Sequence, residues 1–386
     1  MIRHPDKFAS LLAEVRQFVR TECLPLEVQV DSDDVIPEAL VQRMREVGLF
    51  GHSIPEEYGG EGLTSEELSL VNMEVSYVAT TFRARFGGNT GIASESLVVD
   101  GTPDQKRRYL PQLASGRFTG CFALTEPEAG SDATAQQTTG VRDGDHFVLN
   151  GRKCFITNAP IADLFTVFAR TDDSARGAKG ITAFLVERGT PGLTTPPAVR
   201  KMGQHGSPVG DVVLENVRVH QNAIVGGFEG QGFRTAMRAL NKQRINLAGL
   251  CIGPAIRLVE EMAHRARTRR QSGQPIGEFQ LVQQLIAESN TEVHAARALL
   301  LETARKRDAG QDVTMEASMS KLFASEMCGR VADRAVQVFG GSGYMAGNVA
   351  ERFYRDVRVF RIYEGTSQIH IANIAKRTLA ESAEAC

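Results

Sequence analysis

The chain has 386 residues, 42% of them hydrophobic, and a formal net charge of -2 at pH 7. This length predicts two or three domains with sizeable apolar cores, and the near-zero charge provides no field that would attract nucleic acid or an anionic membrane surface. The six cysteines include no C-x-x-C pair, so the sequence predicts neither a metal site nor a disulfide framework.

The amino terminus, MIRHPDKFASLLAEV, does not have the pattern of an export signal. It lacks a cationic stretch followed by an apolar segment and a small-residue cleavage site. The chain also lacks the long uncharged apolar run that a membrane-spanning helix requires. We therefore expect a cytoplasmic protein without membrane insertion.

The first third of the chain has the hydrophobic period of helices. Apolar residues recur at spacings of three and four between Phe8 and Val19, which predicts a helix with one buried face. Thr64 with Glu67, and Thr102 with Gln105, have the spacing of capping boxes. More helices are therefore expected to begin at these two places.

From about Thr119 the period changes toward two, which predicts strands. Asp143-Gly144 and Asn150-Gly151 are turn signals within this region. The apolar segments of the region include Leu164–Phe168, Ile181–Val186 and Val212–Leu214. We interpret it as a middle β domain.

Helical periodicity returns after the stretch Gly226–Gly232 and continues almost to the end. The clearest predicted helices are Pro254–Arg270, Phe279–Asp308 and Met315–Phe339. The sequence therefore predicts the order α, β, α. The predicted domains are residues 1–118, 119–225 and 226–386.

Two segments could bind an anion or could be ordinary helix ends. The glycine-rich FGGSGYMAG (339–347) could expose several backbone N–H groups to a phosphate, or could simply terminate the preceding helix. It is not a dinucleotide-binding fingerprint, because it follows an amphipathic helical stretch rather than a strand. The arginine-rich HRARTRR (264–270) is typical of a solvated helix end and could otherwise bind an anion.

Two strand-like segments carry polar groups beside apolar ones. CFALTEPEAGSDA (121–133) runs from an apolar strand into a turn with hydroxyls and glycines, which suits a flat cofactor or is only the end of a strand. CFITNAP (154–160) places Phe155 and Thr157 on one face of a strand. A third segment, RIYEGTSQIH (361–370), contains the lone carboxylate Glu364, either a solvated helix end or a base kept from water.

Together, these segments closely resemble the acyl-CoA dehydrogenase family. The matching stretches occur in the family's order and spacing, and they are CFALTEPEAGSD (121–132), CFITNA (154–159), QVFGGSGY (337–344) and RDVRVFRIYEGTSQI (355–369). The resemblance implies an α+β fold with an amino-terminal helical domain, a middle β-barrel-like domain and a carboxy-terminal four-helix bundle. It also implies FAD as the cofactor, acyl-CoA as the substrate and a role in fatty-acid β-oxidation.

By this resemblance, Glu364 is the catalytic base. It would remove the α proton of the thioester while the β hydride passes to flavin N5, which yields the trans-2-enoyl-CoA. Desolvation raises the pKa of a carboxylate and makes it a stronger base, and we expect Ile362 and Tyr363 to provide apolar cover. The family's alternative base position is occupied here by Gln243, whose amide cannot accept the proton.

The resemblance also assigns the binding residues. Those expected to contact the flavin and its ribityl-diphosphate chain are Phe122, Leu124, Thr125, Gly130, Ser131, Phe155, Ile156, Thr157, Thr366, Ser367 and Gln368. Those expected to hold the FAD diphosphate and adenosine across a subunit interface are Arg269, Gln280, Gln337, Val338, Phe339, Gly340 and Gly341. Those expected to contact the substrate are Ser131, Asn241, Arg244, Tyr363 and Gly365. Phe155 and Asn241 depart from the pattern, since many relatives carry Trp and Asp there.

Arg83, in TTFRARF (80–86), stands where glutaryl-CoA dehydrogenases carry an arginine for the distal carboxylate of their substrate. It could therefore bind a dicarboxylic acyl-CoA. A buried guanidinium without an anion is costly, so the structural alternative is that Arg83 turns outward or pairs with a carboxylate such as Glu74.

The resemblance further implies a homotetramer built as a dimer of dimers, with electron-transfer flavoprotein as the electron acceptor. An acyl-CoA oxidase or a flavin monooxygenase on the same fold would use oxygen instead. A CoA-binding subunit without activity would have no need of a desolvated Glu364 beside Thr157 and Ser131. A serine hydrolase is disfavoured because the sequence has no G-x-S-x-G elbow.

Overall fold

The structure, a computed structural model, describes residues 1–175 and 177–384. The helices before the first strand are α1 (Pro5–Phe18), α2 (Glu27–Asp33), α3 (Glu38–Glu46), α4 (Ser65–Val75), α5 (Thr81–Gly87), α6 (Ile92–Asp100) and α7 (Pro103–Ala114). The predicted buried face of α1 is confirmed by Phe8, Val15 and Phe18. Both predicted capping boxes are present, at the starts of α4 and α7.

The middle region is a curled sheet. Its strands are β1 (Gly120–Ala123), β2 (Thr139–Asp143), β3 (His146–Thr157), β4 (Leu164–Arg170), β5 (Ile181–Glu187), β6 (Leu193–Thr194) and β7 (Val209–His220). The strand order is β1-β4-β2-β3-β7-β6, with β5 on β4. β4 pairs in parallel with β1 and, at Arg170, with β2, while β5 pairs antiparallel with β4 along its whole length. This branching bends the sheet into the expected barrel-like shape.

One turn prediction in this region is wrong. Asn150-Gly151 does not end a strand, because β3 continues through it for twelve residues. The pairing of β3 with β7 shifts register between Leu149 and Gly151, so the two residues form a bulge instead. The prediction at Asp143-Gly144 is confirmed, since β2 and β3 pair there as a hairpin with Asp143 opposite His146.

The carboxy-terminal region is a bundle of long helices. Its elements are α8 (Gly232–Thr268), a hairpin of β8 (Arg270–Gln271) and β9 (Gln274–Pro275), α9 (Gln280–Asp308), α10 (Thr314–Phe339), α11 (Val349–Val357) and α12 (Ser367–Glu384). α10 packs against α8, α9 and α12. These four long helices form the predicted bundle.

α8 begins at Gly232, where helical periodicity was predicted to return, and it passes through Pro254 without a break. A proline normally ends or bends a helix because it has no N–H to donate. Here packing against α4 holds the helix together. A side chain on Gly253 would place its Cβ 2.2 Å from the Ser76 hydroxyl, so the two helices touch backbone to backbone at this point.

The three regions share an apolar junction. Phe165 and Val167 of β4 face the interior of the sheet, whereas Leu164 and Phe168 face the helices. The junction on the helical side includes Leu97 of α6, Leu113 of α7 and Ala236 of α8. A cavity opens beside this junction. Among the described residues, no helix has the length and apolar character to cross a membrane, and no group of acidic, His or Cys side chains is arranged to hold a metal ion.

Candidate active site at the domain junction

The cavity has a volume of about 480 Å³ and lies between the sheet, α5, α6, α8 and the segment that precedes α12. Residues predicted for the flavin and for the acyl group meet in it. The predicted site residues that line it are Arg83, Phe122, Leu124, Thr125, Gly130, Ser131, Phe155, Ile156, Thr157, Arg244, Tyr363, Glu364 and Gly365. Segments more than 200 residues apart in the sequence therefore form one site.

A tight turn before α12 directs Glu364 into the cavity. Glu364 has a φ of 55° and Gly365 a φ of 97°, so two successive residues adopt left-handed conformations. Such a φ is disfavoured for a residue with a Cβ, which makes Glu364 a strained position. Gly365 cannot be replaced without cost, because a Cβ there would lie 2.9 Å from Nε2 of His370.

The carboxylate of Glu364 has no partner. Its Oε2 is buried without a hydrogen bond, and among the described residues Glu364 forms no salt bridge. Burial raises its pKa to about 7, although the positive charges of Arg83, Lys321 and Arg244 act in the opposite direction. The accessible part of the side chain faces the cavity. A carboxylate in this setting is a much stronger base than one in water.

The expected apolar cover comes only partly from the neighbours of Glu364. Ile362 is 53% exposed and does not line the cavity, so its predicted role is wrong. Tyr363 does line the cavity, and its ring stacks on Phe360 with centroids 6.0 Å apart. The remaining shielding comes from distant segments such as α8, which no local pattern could have indicated.

The structural alternative for Arg83 is also wrong. Arg83 does not turn outward, since it is only 5% exposed, and Glu74 pairs with Arg16 at 2.6 Å. Nε of Arg83 donates to Oδ1 of Asn72 at 3.4 Å, which is a long hydrogen bond, and Nη2 is buried without a partner. Burial lowers the pKa of Arg83, while Glu364 and Tyr363 raise it. The guanidinium is therefore a buried charge at the edge of the cavity.

More polar atoms without partners surround Arg83. They include Nε2 of His52, Nδ2 of Asn72 and Oγ1 of Thr80, of which Thr80 lines the cavity. The guanidinium lies against Gly87, where a Cβ would sit 2.0 Å from Nη1. Glycine at this position is thus required for the present conformation of the arginine.

α8 contributes a second arginine. Arg244 is 8% exposed, its Nη1 donates to Oδ1 of Asn241 at 2.8 Å, and its Nε has no partner. Asn241 itself does not line the cavity, so it holds Arg244 from the side. Gln243, at the alternative base position, faces the cavity and accepts a hydrogen bond from Asn246 at 2.7 Å.

A buried ion pair supports the flavin side of the cavity. Glu126 accepts hydrogen bonds from the backbone N–H groups of Gln137 and Thr138 and from Nζ of Lys153, at 2.6, 2.9 and 2.7 Å. Lys153 also donates to the carbonyl oxygen of Leu124 at 3.2 Å. This network fixes the turn that carries the predicted flavin contacts.

The chemistry of this side fits a flavin. Within the described residues, the N–H groups of Gly130 and Ser131 donate to no protein acceptor, and the position of a Cβ on Gly130 is open space. Phe155 is 71% exposed and has a φ of 58°, so an aromatic ring is held out from the end of β3. Thr125 and Thr157 add hydroxyls. Free donors, an exposed ring and hydroxyls suit the rim of an isoalloxazine and its ribityl chain.

Other predicted cofactor residues lie outside this cavity. The set consists of Arg269, Gln280, Gln337, Val338, Phe339, Gly340, Gly341, Thr366, Ser367 and Gln368. Arg269 follows the end of α8 and Gln280 begins α9, while Arg265 links α8 to the end of α10 through the Phe339 carbonyl at 3.4 Å. Ser367 donates to Glu326 at 2.6 Å. The first seven residues thus belong to a separate end of the bundle.

Sequence reasoning missed several lining residues. Phe233, Met237 and Leu240 face the cavity from the first turns of α8. Their spacing of four and three is the signal of one helical face, which could have been used to find them. Asn373 and Gln204 also line the cavity. No local pattern singles out these two polar residues.

Comparison with known proteins explains the arrangement. The chain matches three family models: the N-terminal domain of acyl-CoA dehydrogenase at residues 6–117, the middle domain at 121–217 and the C-terminal domain at 230–379. A 3-(aryl)acrylate reductase of Clostridium sporogenes is 40% identical over 94% of this chain and 96% of its own. A glutaryl-CoA dehydrogenase of Desulfococcus multivorans is 36% identical over 96% of this chain and 94% of its own.

Solved structures agree with the sequence relatives. The butyryl-CoA dehydrogenase of Megasphaera elsdenii has a TM-score of 0.94 at 32% identity, covering 98% of this chain and 100% of its own. A chain from a structure described as the electron transferring flavoprotein of Acidaminococcus fermentans has a TM-score of 0.93 at 36% identity. The match covers 96% of this chain and 97% of that one. With three family models in order along its length, the chain belongs to the acyl-CoA dehydrogenase family and is an FAD-dependent oxidoreductase that acts on acyl-CoA.

Proposed function

We propose that the protein catalyses α,β-dehydrogenation of an acyl-CoA thioester to the trans-2-enoyl-CoA, with Glu364 as the base. The observation that carries this proposal is the carboxylate itself. It faces the cavity, has no hydrogen-bond partner at Oε2 and has its pKa raised to about 7 by burial. An unpaired buried carboxylate destabilises a fold, so a purely structural role does not account for it.

The raised pKa suits the proton that has to move. The α C–H of a thioester is weakly acidic, and a base with a pKa near the working pH accepts such a proton better than an ordinary carboxylate. The same group can return the proton to an enoyl-CoA once it is protonated. Glu364 could therefore serve either direction of the reaction, which accommodates a relative described as a reductase.

FAD, when bound, supplies the acceptor for the hydride that leaves the β carbon. The residues proposed to hold its ring are Phe122, Leu124, Thr125, Gly130, Ser131, Phe155, Ile156 and Thr157. We propose that Arg244 and Ser131 hold the thioester end of the substrate. The acyl group would then lie between Glu364 and the flavin side, toward α5.

We propose electron-transferring flavoprotein as the partner that receives the electrons, supported by the structural relative from that system. We also propose a dimer of dimers. The support is that Arg269, Gln280 and residues 337–341 lie away from the cavity of their own chain, as residues that complete a neighbour's FAD site would. Slow reoxidation of the reduced protein by air is expected, and reoxidation within the turnover time would favour an oxidase.

The experiment is anaerobic bleaching of the flavin absorbance by a panel of acyl-CoA thioesters from butyryl to palmitoyl, with branched and glutaryl-CoA included. The enoyl-CoA product is identified for each thioester that bleaches the flavin. We expect rapid bleaching by at least one of them. Absence of bleaching by every thioester, with FAD bound, would contradict the proposed function.

A specific observation favours a second candidate, a substrate with a distal carboxylate. Nη2 of Arg83 is buried without a partner beside the cavity, together with partnerless atoms of His52, Asn72 and Thr80. Arg83 and Thr80 line the cavity, so an anionic group in it would offer an acceptor to Nη2 of Arg83 and to Oγ1 of Thr80. A glutaryl-CoA dehydrogenase among the relatives is consistent with that chemistry.

The test of this candidate compares Arg83→Met with Arg85→Met. Arg85 is a matched control because it lies on the same helix and is buried, but donates to Thr119 away from the cavity. If a carboxylate binds Arg83, Arg83→Met should lower kcat/KM for glutaryl-CoA about 100-fold more than for butyryl-CoA, a difference typical of a lost buried charge pair. Equal losses for both substrates would leave Arg83 without a role in specificity.

A further inference from the structure

Behind Glu364, α10 holds Lys321 in an unusual setting for a lysine. The side chain has 0% exposure, and its Nζ donates to the carbonyl oxygen of Gly365 at 2.6 Å. Lys153 is also fully buried, but it has the carboxylate of Glu126 at 2.7 Å. Among the described residues Lys321 has no such salt bridge. A buried ammonium without a paired carboxylate is costly and requires an explanation.

The hydrogen bond from Lys321 falls on the turn that directs Glu364. The imidazole of His370 also lies against the backbone of Glu364 and Gly365, so the ammonium of Lys321 is the charged group that holds this turn. The turn has left-handed φ values at both residues, so its surroundings must hold it in place. His370 of α12, fully buried, packs against Gly365 from the same side.

The groups that face Glu364 differ in charge. They come from α5, α8, α10 and α12 and from the turn itself, and they are Arg83, Arg244, Cys251, Lys321, His370 and Tyr363. Burial lowers the pKa of His370 to about 3 and raises the pKa values of Cys251 and Tyr363, so these three stay neutral near pH 7. The two arginines line the cavity, whereas Lys321 does not.

We propose that Lys321 is a positioning residue for Glu364, which holds the turn in its left-handed conformation and supplies positive charge behind the carboxylate. The inference rests on the proposed function of Glu364. Because Lys321 does not line the cavity, it acts on the reaction only through Glu364. Burial lowers the pKa of Lys321 and Arg244 acts in the same direction, whereas Cys251, Glu364 and Glu326 raise it. Lys321 and Glu364 therefore stabilise each other's ionised forms.

The test compares Lys321→Gln, which keeps a donor but removes the charge, with Lys321→Arg, which keeps the charge. The limiting rate of anaerobic flavin reduction is measured from about pH 5 to about pH 9, together with the Kd for acyl-CoA. For Lys321→Gln we expect a rate about tenfold lower at pH 7 and a midpoint raised by about one pH unit, with Kd changed less than about threefold. Lys321→Arg should restore the midpoint.

Ser320→Ala is the matched control. Ser320 is the preceding residue of α10, is buried and lies 2.9 Å from the hydroxyl of Thr303 on α9. Loss of the Ser320 hydroxyl should lower the free energy of unfolding without moving the pH midpoint of flavin reduction. A second measurement does not need turnover: the effect of Lys321→Gln on the free energy of unfolding should grow between about pH 5 and about pH 8, and this growth should vanish in the Glu364→Gln background.

An unchanged midpoint in Lys321→Gln, or a growth in destabilisation that persists in the Glu364→Gln background, would overturn the inference. Failure of both lysine variants to fold with FAD would also overturn it, since Lys321 would then be a residue of the bundle core. If the proposed function itself is wrong, the results differ from these. In that case the unmodified protein is not bleached, or Glu364→Gln is reduced at the normal rate.

Discussion

Two buried carboxylates in this molecule have opposite surroundings. Glu126 accepts hydrogen bonds from two backbone N–H groups and from Lys153, whereas Oε2 of Glu364 accepts none. Burial raises the pKa of Glu126, but Lys153 and the hydrogen bonds outweigh it and the pKa falls below its usual value. For Glu364 burial outweighs the nearby cations, and its pKa rises to about 7.

The difference separates a structural charge from the carboxylate that we propose as the base. Lys153 has its pKa lowered by burial to about 8, yet at pH 7 it stays mostly protonated and pairs with Glu126. That pair fixes the turn that carries Thr125 and Ser131. Burial makes ionisation of Glu364 unfavourable, and Arg83, Lys321 and Arg244 reduce that penalty from a distance. Because none of the three binds the carboxylate directly, it remains available to a substrate.

The largest effect is expected for Glu364→Gln. The amide keeps the shape of the side chain but cannot accept the α proton, so flavin reduction by acyl-CoA should slow by about 10³- to 10⁴-fold, or about 4–5.5 kcal/mol, while FAD and acyl-CoA still bind. Stopped-flow absorbance measures the rate. Glu302→Gln, on the outer side of α9 in an exposed pair with Lys306, is the control and should reduce normally.

Glu126→Gln should lower the stability of the fold, whereas it should have no direct effect on proton abstraction from the substrate. It leaves Lys153 as a buried cation without a counter-ion, which is expected to lower the free energy of unfolding by about 3–4 kcal/mol. Denaturant titration measures this loss. Glu38→Gln, which breaks an exposed pair with Arg45, should cost less than about 1 kcal/mol. Equal losses in the two variants would remove the distinction between a satisfied buried pair and a surface pair.

Glu364→Gln should have the opposite effect on stability. An unfolded glutamate ionises near pH 4.5 and the folded Glu364 near pH 7, so the ionised form penalises folding progressively between these values. The variant should therefore be more stable than the unmodified protein by up to about 3 kcal/mol at pH 8, with no gain at pH 4. The melting temperatures of the two proteins are compared between about pH 4 and about pH 8. A stability gain in Glu364→Gln that does not change with pH would contradict the raised pKa of Glu364.

The sequence predicted the architecture well, because periodicity and capping depend on local spacing. The capping boxes at Thr64 and Thr102 are examples. One prediction failed where tertiary contacts outweigh local preference. The Asn150-Gly151 pair became a bulge inside β3, because the pairing of β3 with β7 continues past it.

Within the site, the sequence identified Glu364 and the cavity-lining motifs but not their environment. Ile362 turned away from the cavity, although it adjoins Glu364. Arg83 remained buried without a carboxylate, because Glu74 faces α1 and pairs with Arg16. Lys321 gave no signal at all, since one lysine in an amphipathic helix is usually solvent-exposed. Such features depend on which distant segments meet, and spacing along one chain does not encode that directly.

The most direct test of the account is the pH dependence of flavin reduction in the unmodified protein. The second-order rate constant of flavin reduction, at acyl-CoA concentrations well below Kd, is measured anaerobically through the neutral range, because it reports the ionisation of the substrate-free enzyme. Because only the ionised Glu364 can accept the proton, the rate should rise with pH and reach half of its maximum near pH 7. A midpoint at the usual value of a carboxylate, about pH 4–5, would contradict the claim that Glu364 is a desolvated base.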